Sequence, residues 1–471
     1  MHLSDSNPLR RLRIVPLIIA VALFMENLDS SVLATALPDI ARDLATDPIH
    51  LKLVLTTYLL ALAVFIPASG WMADRFGARR VFRLAILVFA LGSIACGASN
   101  NLLELVLARV LQGLGGSMMV PVGRLILLRT TPRSELVTAM AWLTVPALIG
   151  PMMGPPVGGW ITTFWQWRWI FWINIPIAVL GLIFTTIFIP DVREEKVRGF
   201  DLRGFLLMGP GLSGFLTGVT LAGLGLAGVG LIAALILGGL ALCVVYVFHA
   251  LRVENPLVDL RLMRHATFRA AMTAGTMFRI GAGASPFLLP LLLQLGFGYS
   301  AFDSGTLTFV TALGAITMKF LTEPILRRFG FRRVLMANGV FAAVFLLLPG
   351  FFVPGLSWLA MGPVLYVAGM TRSLQYTSIN AIAYADVSER EMSSATSFAS
   401  VLQQLANAVG ITVSAMSLEM LGWARGIPAT ALPNYLPTFG VVAVLALVAV
   451  VLFTRLPQGA GGGLVGGAKP A

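Results

Sequence analysis

The chain reads GPMMGPPVGG from Gly150 to Gly159, inside a long apolar segment. Glycines at positions 150, 154 and 158 recur every four residues, so they lie along one face of a helix. Since glycine has no Cβ, such a face lets the backbone of a neighbouring helix approach closely. Pro151 and Pro155 each remove a backbone donor and bend the helix, which in a membrane requires that other helices or a cavity satisfy the freed carbonyls. The stretch therefore predicts a kinked, tightly packed membrane helix.

The composition of the whole chain is that of a polytopic membrane protein. Of 471 residues, 57% are hydrophobic and 11% are charged, whereas soluble domains carry roughly 25% charged residues. The net charge of +12 is distributed in short clusters between apolar segments, which argues against nucleic-acid binding and for the positive-inside pattern. Cys96 and Cys243 both fall in apolar segments, so neither predicts a disulfide or a metal ligand.

Fourteen apolar segments are long enough to span a bilayer. The loops on one side hold only Arg42, Lys52, Arg168 and Arg425, and most other cations lie on the side of the N-terminus. Because positively charged loops are cytoplasmic, both termini are predicted to be cytoplasmic. The segments cover approximately 12–37, 51–73, 80–98, 102–127, 138–160, 168–190, 204–222, 227–249, 267–293, 301–324, 333–352, 356–378, 393–421 and 436–456.

A charged loop occurs twice in corresponding positions. Residues 74–80 read DRFGARR after the second segment, and residues 327–333 read RRFGFRR after the tenth. Two six-helix halves, each with this loop after its second helix, fit a transporter with parallel repeats. Residues 204–251 contain no Asp, Glu, Lys or Arg, so the two segments there are predicted to connect the halves. The predicted domains are 1–200, 201–251 and 252–457, followed by a flexible Gly-rich tail at 458–471.

Two carboxylates lie in the first apolar segment. Glu26 and Asp29 are three residues apart and so share a helix face. An ionised carboxylate is costly in a membrane, which favours uptake of a proton. Both residues are therefore candidates for proton coupling. The alternative is a neutral carboxyl that hydrogen-bonds a nearby helix.

Depth along the helices places Arg109 of the fourth segment level with Asp29. Asp29 is eight residues from the segment end at Leu37, and Arg109 is seven residues from the end at Leu102. Both therefore lie about 11–12 Å below the same membrane surface. We expect the two side chains to face each other, with Arg109 holding Asp29 ionised. Gln112 lies one turn further along the same face of the fourth helix.

Three cations lie within apolar segments of the second half. Arg279 is near the middle of the ninth segment, where it binds an anionic group, pairs with a carboxylate or braces backbone carbonyls. Arg372 is at an intermediate depth, and Lys319 is close enough to the cytoplasmic end to snorkel. These cations favour an anionic or zwitterionic substrate over a purely cationic one.

The first copy of the repeated loop carries a candidate gate. Asp74 lies near a helix terminus, with arginines beyond it, so it predicts a breakable charge network that gates the cytoplasmic side. Ordinary positive-inside topology explains the arginines but not the spacing of the glycines around Asp74. The candidate gate residues are Gly70, Asp74, Arg75, Gly77, Arg79 and Arg80.

Together these motifs resemble the fourteen-span drug:proton antiporter family of the major facilitator superfamily. Arg327 in the second loop replaces the acidic residue of the first, which implies a weaker gate. The runs 67–71 and 279–281 resemble the MdtD-like subgroup of multidrug transporters. The stretches similar to family motifs are 28–38 in the first helix, 70–80 in the cytoplasmic loop, 109–115 in the fourth helix, 150–159 in the fifth helix, and 167–171 with 174–176 in the sixth.

The first-helix stretch departs from the family pattern at two positions. Ser31 stands where Thr is usual, and Ala34 stands where Asn is usual, whereas Asp29 is intact. Glu26 lies outside the motif, so its role rests on its position alone. The resemblance implies that Arg109 takes part in proton coupling. The residues assigned to the antiporter motif are Gly150, Pro151, Gly154, Pro155, Gly158 and Gly159, and those assigned to the substrate cavity are Gln112, Asn174, Arg279 and Arg372.

The resemblance implies an all-α major facilitator fold of two six-helix bundles plus two linking helices. It also implies proton-coupled, multidrug-type export across the bacterial inner membrane by alternating access. The expected partners are a small-molecule substrate, protons and the lipid bilayer, with no cofactor, metal or nucleic acid, and the protein is expected to be a monomer.

Two alternatives to multidrug export stay open at the level of the sequence. One is export of an organic anion or a metal chelate, such as a citrate-like carboxylate. The other is a transport-inactive membrane sensor. An enzyme is not expected, because the sequence contains no nucleotide-binding loop, metal-ligand cluster or nucleophile–base constellation.

Overall fold

The computed structural model describes residues 8–131, 136–190, 199–222, 224–388 and 391–462. Every regular element in these ranges is helical. Short 3₁₀ turns cover Pro48–Leu51, Leu260–Arg264, Leu348–Phe351 and Leu432–Asn434, and a π-turn covers Leu292–Gly296. The α-helices are α1 (Pro8–Asp43), α2 (Lys52–Phe76), α3 (Ala78–Ala98), α4 (Leu102–Thr130), α5 (Leu136–Phe164), α6 (Trp169–Trp172), α7 (Asn174–Phe188), α8 (Leu202–Leu221), α9 (Val229–Arg252), α10 (Ala266–Gly283), α11 (Ser285–Leu291), α12 (Ala301–Phe329), α13 (Phe331–Leu347), α14 (Trp358–Ala383), α15 (Met392–Arg425) and α16 (Tyr435–Phe453).

The predicted all-α membrane architecture is confirmed. Twelve helical segments within the described ranges are long and apolar enough to cross a membrane. The two further predicted spans correspond to α5 and α14, which have 29 and 26 residues and so exceed the ~20 residues that a span needs. Two spans are interrupted, because α6 and α7 together form the sixth, and α10, α11 and the π-turn form the ninth.

The helix boundaries follow local chemistry. The side chain of Asn101 accepts a hydrogen bond from Glu104 N at 2.9 Å and so caps the start of α4. Gly77 ends α2 with φ 92°, and Gly330 ends α12 with φ 73°. Positive φ favours glycine, so the two copies of the repeated loop use glycine at the same point of the turn.

Successive spans run in opposite directions and define two sides of the bundle. The proximal side carries the start of α1 and the loop at Asp74, and the distal side carries the end of α1 at Asp43. On the distal side, Trp167 Nε1 and Arg168 Nη1 donate to Asp43 Oδ2 at 2.9 and 2.5 Å. These bonds fasten the loop before α6 to the end of α1.

The two sets of six spans meet along two pairs of helices, α5 with α12 and α2 with α15. The α8–α9 pair lies beside α2, where Leu216 of α8 packs with Leu60 and Val64. Most of the α9 surface is exposed, as expected of a helix that faces lipid. The predicted domain limits stay predictions.

Candidate functional site

The structure places Asp29 of α1 and Arg109 of α4 in direct contact. Arg109 Nη1 donates to Asp29 Oδ2 at 2.5 Å, and each side chain is 1% exposed. The two residues are therefore at the same depth and on facing helix surfaces. Removing one partner of such a buried pair typically costs about 3–5 kcal/mol, because the other charge is left uncompensated.

The guanidinium of Arg109 is held on all sides. Its Nε donates to Val54 O at 3.4 Å, and Nη1 also donates to Gln112 Oε1 at 2.7 Å. The guanidinium carbon lies 4.1 Å from the centre of the Tyr58 ring, a distance at which a cation is attracted to an aromatic face. Helices α2 and α4 therefore both position the cation that faces Asp29.

Gln112 and Asn174, which the sequence predicts in the substrate cavity, both bind Asp29, and neither is among the described residues that line the cavity between the two halves. Gln112 Nε2 donates to Asp29 Oδ1 at 2.8 Å, and Asn174 Nδ2 donates to the same oxygen at 2.9 Å. Ser93 of α3 accepts from both amides, at 3.3 and 3.0 Å. With Arg109, the carboxylate thus accepts three hydrogen bonds from three different side chains. The sequence gives no signal for Ser93, because a single serine in an apolar helix belongs to no recognised motif.

Glu26 lies one turn nearer the proximal side than Asp29. Its carboxylate is buried, and Oε2 has no hydrogen-bond partner among the residues that the structure describes. The Tyr58 hydroxyl is likewise buried without a described partner. Both groups border Gly116 of α4, where a Cβ would lie 3.0 Å from the Tyr58 hydroxyl and 3.7 Å from Glu26 Cγ. An ionised carboxylate in such surroundings has no described hydrogen bond at Oε2 to offset the cost of its burial.

The antiporter-motif glycines bring α5 against α1. A Cβ at Gly150 would lie 3.0 Å from Phe24 O, and one at Gly158 would lie 2.5 Å from Val32 O. At Gly154 a Cβ would overlap the Ser31 hydroxyl. The glycine row is therefore required by the close approach of the two helices.

The neighbouring glycine faces the other half of the molecule. A Cβ at Gly159 would lie 2.3 Å from Ala301 O of α12. In return, a Cβ at Gly305 of α12 would meet Pro155 O. Helix α5 is thus wedged between α1 and α12, with backbone contacts on both sides.

A cavity of about 270 Å³ lies between the two halves. Arg372 is the only charged residue among the described residues that line it, and none of these is a carboxylate. The remaining lining is apolar apart from hydroxyl groups. The polar lining residues are Ser30, Ser31, Thr35, Ser285, Thr308, Thr311 and Arg372, and Pro151 and Pro155 lie beside them.

Arg279 does not belong to the described lining of this cavity. Its Nη2 donates to Asn380 Oδ1 at 2.5 Å, and its side chain is buried. The guanidinium carbon lies 5.9 Å from the Tyr376 ring centre. Arg279 therefore joins α10 to α14 through the side chain of Asn380, and its predicted role in binding substrate stays a prediction. Lys319 donates to Thr377 Oγ1 at 2.8 Å.

At the proximal side, Asp74 pairs with Arg129 at the end of α4, at 2.8 Å. The sequence had suggested the arginines of the same loop as partners and missed Arg129. Arg75 and Arg80 are exposed. A Cβ at Gly70 would meet nothing within 4 Å, so packing does not require a glycine there.

Arg79 has a bracing contact that its counterpart in the second repeat also makes. Arg79 Nη1 donates to Ile189 O just after α7, at 3.2 Å. Arg332 Nη2 donates to Thr454 O just after α16, at 2.8 Å. In each half, this arginine joins the start of the third span to the end of the sixth.

Comparison with known proteins identifies the family. The model of the Major Facilitator Superfamily matches residues 19–411. The chain belongs to the major facilitator superfamily. Proteins described as multidrug resistance protein MdtD are 39% identical to it over 444 residues, in Salmonella paratyphi A and in Salmonella typhimurium, with 94% of each chain covered. The predicted family and subgroup are thereby confirmed.

Solved structures of major facilitators share the fold at low sequence identity. A bacterial homologue of the human lysosomal transporter Spinster, in an inward-facing conformation, aligns with a TM-score of 0.67 at 15% identity and covers 99% of this chain and 100% of its own. A D-xylose-proton symporter aligns with a TM-score of 0.66 at 14% identity, covering 95% and 98%. This major facilitator is a multi-pass membrane protein of a transporter family.

Among the described residues, three polar contacts join the distal ends of the two major facilitator halves. Lys52 of α2 lies 3.4 Å from Glu419 of α15, and the Lys52 side chain is fully buried. The sequence predicts Lys52 in a loop, whereas the structure places it at the start of α2, in an ion pair between the halves. The other two contacts are Gln294 Nε2 to Thr35 O at 2.9 Å and Phe302 N to Thr163 Oγ1 at 3.0 Å.

Proposed function

We propose that this major facilitator exports small molecules of the multidrug type in exchange for protons. The single observation that carries the proposal is the buried Asp29–Arg109 ion pair. Its carboxylate belongs to α1, a helix that also lines the cavity. A carboxylate enclosed in a membrane protein exchanges its proton only when a change of conformation exposes it. Such an exchange is what coupling to a proton gradient needs.

The proton site and the cavity lie on opposite faces of α1. At 3.6 residues per turn, Ser31 and Ala34 point about 200° and about 140° away from Asp29, and both line the cavity. Substrate and proton therefore need not compete for the same atoms. Coupling acts through the movement of α1, which the glycine row joins closely to α5.

Glu26 is proposed as an auxiliary proton site. Its unbonded carboxyl oxygen lies one turn from Asp29, towards the proximal side. A proton that leaves Asp29 in that direction passes Glu26. The charge network at Asp74 and Arg129 is proposed to gate the same side.

The relatives and the charge pattern support the cellular setting. Proteins described as multidrug resistance protein MdtD are bacterial, and the proximal loops carry most of the cations. We place the protein in the bacterial inner membrane, with the proximal side and both termini in the cytoplasm. A monomer is proposed as the working unit. The comparisons do not favour the organic-anion exporter or the inactive sensor.

Transport in proteoliposomes tests the proposal. The protein is reconstituted with a pH-sensitive dye inside, and drugs and organic anions are added one at a time under an imposed proton gradient. We expect substrate-driven proton movement in the wild type and its loss in Asp29→Asn. Glu323→Gln, which removes an exposed carboxylate on α12, is the matched control and should behave as the wild type. Substrate flux without proton movement would overturn the coupling. The absence of both substrate flux and proton flux would overturn transport itself.

A further inference from the structure

Asn174 occupies a special place in the Asp29 network. It is the first residue of α7 and follows the break at Ile173 that separates α7 from α6. Its side chain is fully buried, and Nδ2 bonds both Asp29 and Ser93. Its other atom, Oδ1, is buried with no hydrogen-bond partner in the described part of the chain.

An unpaired buried amide oxygen is unfavourable and calls for a physical reason. The present arrangement suits an ionised Asp29, which accepts from Arg109, Gln112 and Asn174 and has nothing to donate. A protonated Asp29 gains an O–H donor and needs an acceptor. Gln112 Oε1 already accepts from Arg109 Nη1 at 2.7 Å and from Cys96 Sγ at 3.6 Å. Of the three partners of Asp29, Asn174 is the one with a free acceptor.

Rotation of the Asn174 amide exchanges the positions of its two polar atoms. Oδ1 then occupies the place of Nδ2, about 2.9 Å from Asp29 Oδ1, and accepts the proton that Asp29 carries. The same rotation brings Oδ1 to Ser93 Oγ, whose hydroxyl now donates to Phe171 O at 2.8 Å. Ser93 can turn its hydrogen towards Asn174, because a hydroxyl rotates to suit its partners.

We propose that Asn174 is a positioning residue that reports the protonation state of Asp29 to the sixth span. Its amide donates to the carboxylate and, after rotation, accepts from the acid. The rotation draws the Ser93 hydrogen bond away from Phe171 O in α6, at the break between α6 and α7. The proposal rests on the proposed function, since it presumes that Asp29 exchanges a proton.

Other titratable groups near Asp29 come from four helices. Arg109 comes from α4, Tyr58 from α2, Cys96 from α3 and Glu26 from the same helix. None of them depends on Asn174 for a hydrogen bond that the structure describes. A change at Asn174 therefore acts on Asp29 directly.

Infrared difference spectroscopy of the purified protein, titrated with pH, tests the proposal. The C=O band of the protonated acid is assigned to Asp29 by its absence in Asp29→Asn. In Asn174→Leu the acid loses its acceptor, so we expect the band to move to higher wavenumber.

Two further variants make the result specific. Asn174→Gln retains an amide that both donates and accepts, and should leave the band closer to its wild-type position than Asn174→Leu does. Asn338→Leu removes a buried asparagine of α13 that bonds Gln375 and Thr371 O at 2.8 Å, and should leave the Asp29 band unchanged. Size-exclusion profiles confirm that each variant is folded. If the leucine variant is not folded, Asn174→Ala removes the same amide, and the same upward shift of the band is expected.

The outcomes separate this inference from the proposed function. An Asp29 band that appears in the wild type and keeps its position in Asn174→Leu would overturn the role of Asn174 and leave proton coupling intact. The absence of any Asp29 band across the pH range would overturn both.

Discussion

Neutralising Lys52 should shift the protein towards a state that is open on the distal side. Lys52 is fully buried and lies 3.4 Å from both carboxylate oxygens of Glu419. The pair joins α2 of one half to α15 of the other, so it exists only while the distal ends are together. Lys52→Gln and Glu419→Gln each remove one charge and leave most of the volume in place.

The size of the shift follows from the geometry. At 3.4 Å and an effective dielectric constant of about 20, the attraction between the charges is about 5 kcal/mol. Desolvation offsets part of it, and loss of one partner of a buried pair costs about 3–5 kcal/mol. Glu419 keeps 16% exposure, which favours the lower value. A loss of about 3 kcal/mol in the closed state alone changes the equilibrium about a hundredfold.

Distance measurements by double electron–electron resonance report this equilibrium directly. Spin labels on cysteines at Gln166 and Trp423, both exposed on the distal side, report the separation of the halves after Cys96 and Cys243 are replaced by serine. We expect the longer distance to dominate in either single variant.

The double exchange Lys52→Glu with Glu419→Lys should restore the wild-type distances, because the ion pair is rebuilt with its charges reversed. Arg42→Gln removes an exposed distal cation that pairs with Asp39 within α1 and serves as the control. Unchanged distances in both Lys52→Gln and Glu419→Gln would refute the reasoning.

Three further predictions address packing, substrate and pH. Gly154→Ala should lower stability by about 1–3 kcal/mol through overpacking against α1, seen as a lower melting temperature, whereas Gly70→Ala should not. Arg372→Ala should raise the KM for anionic substrates about 10- to 100-fold, the loss of one charge-assisted bond, with neutral substrates unaffected in the same efflux assay. The Ser388 hydroxyl, with weaker help from a neighbouring imidazole and guanidinium, lowers the pKa of Glu391 from 4.5 to about 2. Its stabilisation is therefore complete above pH 4.5 and lost towards pH 2, and the melting-temperature gap to Glu391→Gln should close over that range; a constant gap would contradict this.

The sequence predicted the central pair because depth can be counted along a helix. Asp29 and Arg109 lie a similar number of residues from the same membrane surface, and each is too costly to leave alone in lipid. The four-residue spacing from Gly150 to Gly158 likewise predicted a close helix contact, since helical period fixes which residues share a face.

The partners of these residues could not be predicted in the same way. Which helices are neighbours, and how each is rotated, depends on the packing of the whole bundle. For that reason the sequence indicates neither that Asn174 and Ser93 lie beside Asp29 nor that Lys52 pairs with Glu419. Arg129 was missed because it lies outside the loop whose acidic residue it pairs with.

The position of α5 between two backbones limits how this transporter can diversify. Gly154 and Gly159 leave no room for a side chain on either flank, so a point mutation in either glycine damages the helix contacts before it alters the choice of substrate. The hydroxyl-bearing residues of α12, such as Thr308 and Thr311, line the cavity and are not bound by that constraint. Under selection for resistance to a new compound, we expect adaptive mutations to accumulate on α12 while the glycine row of α5 stays unchanged.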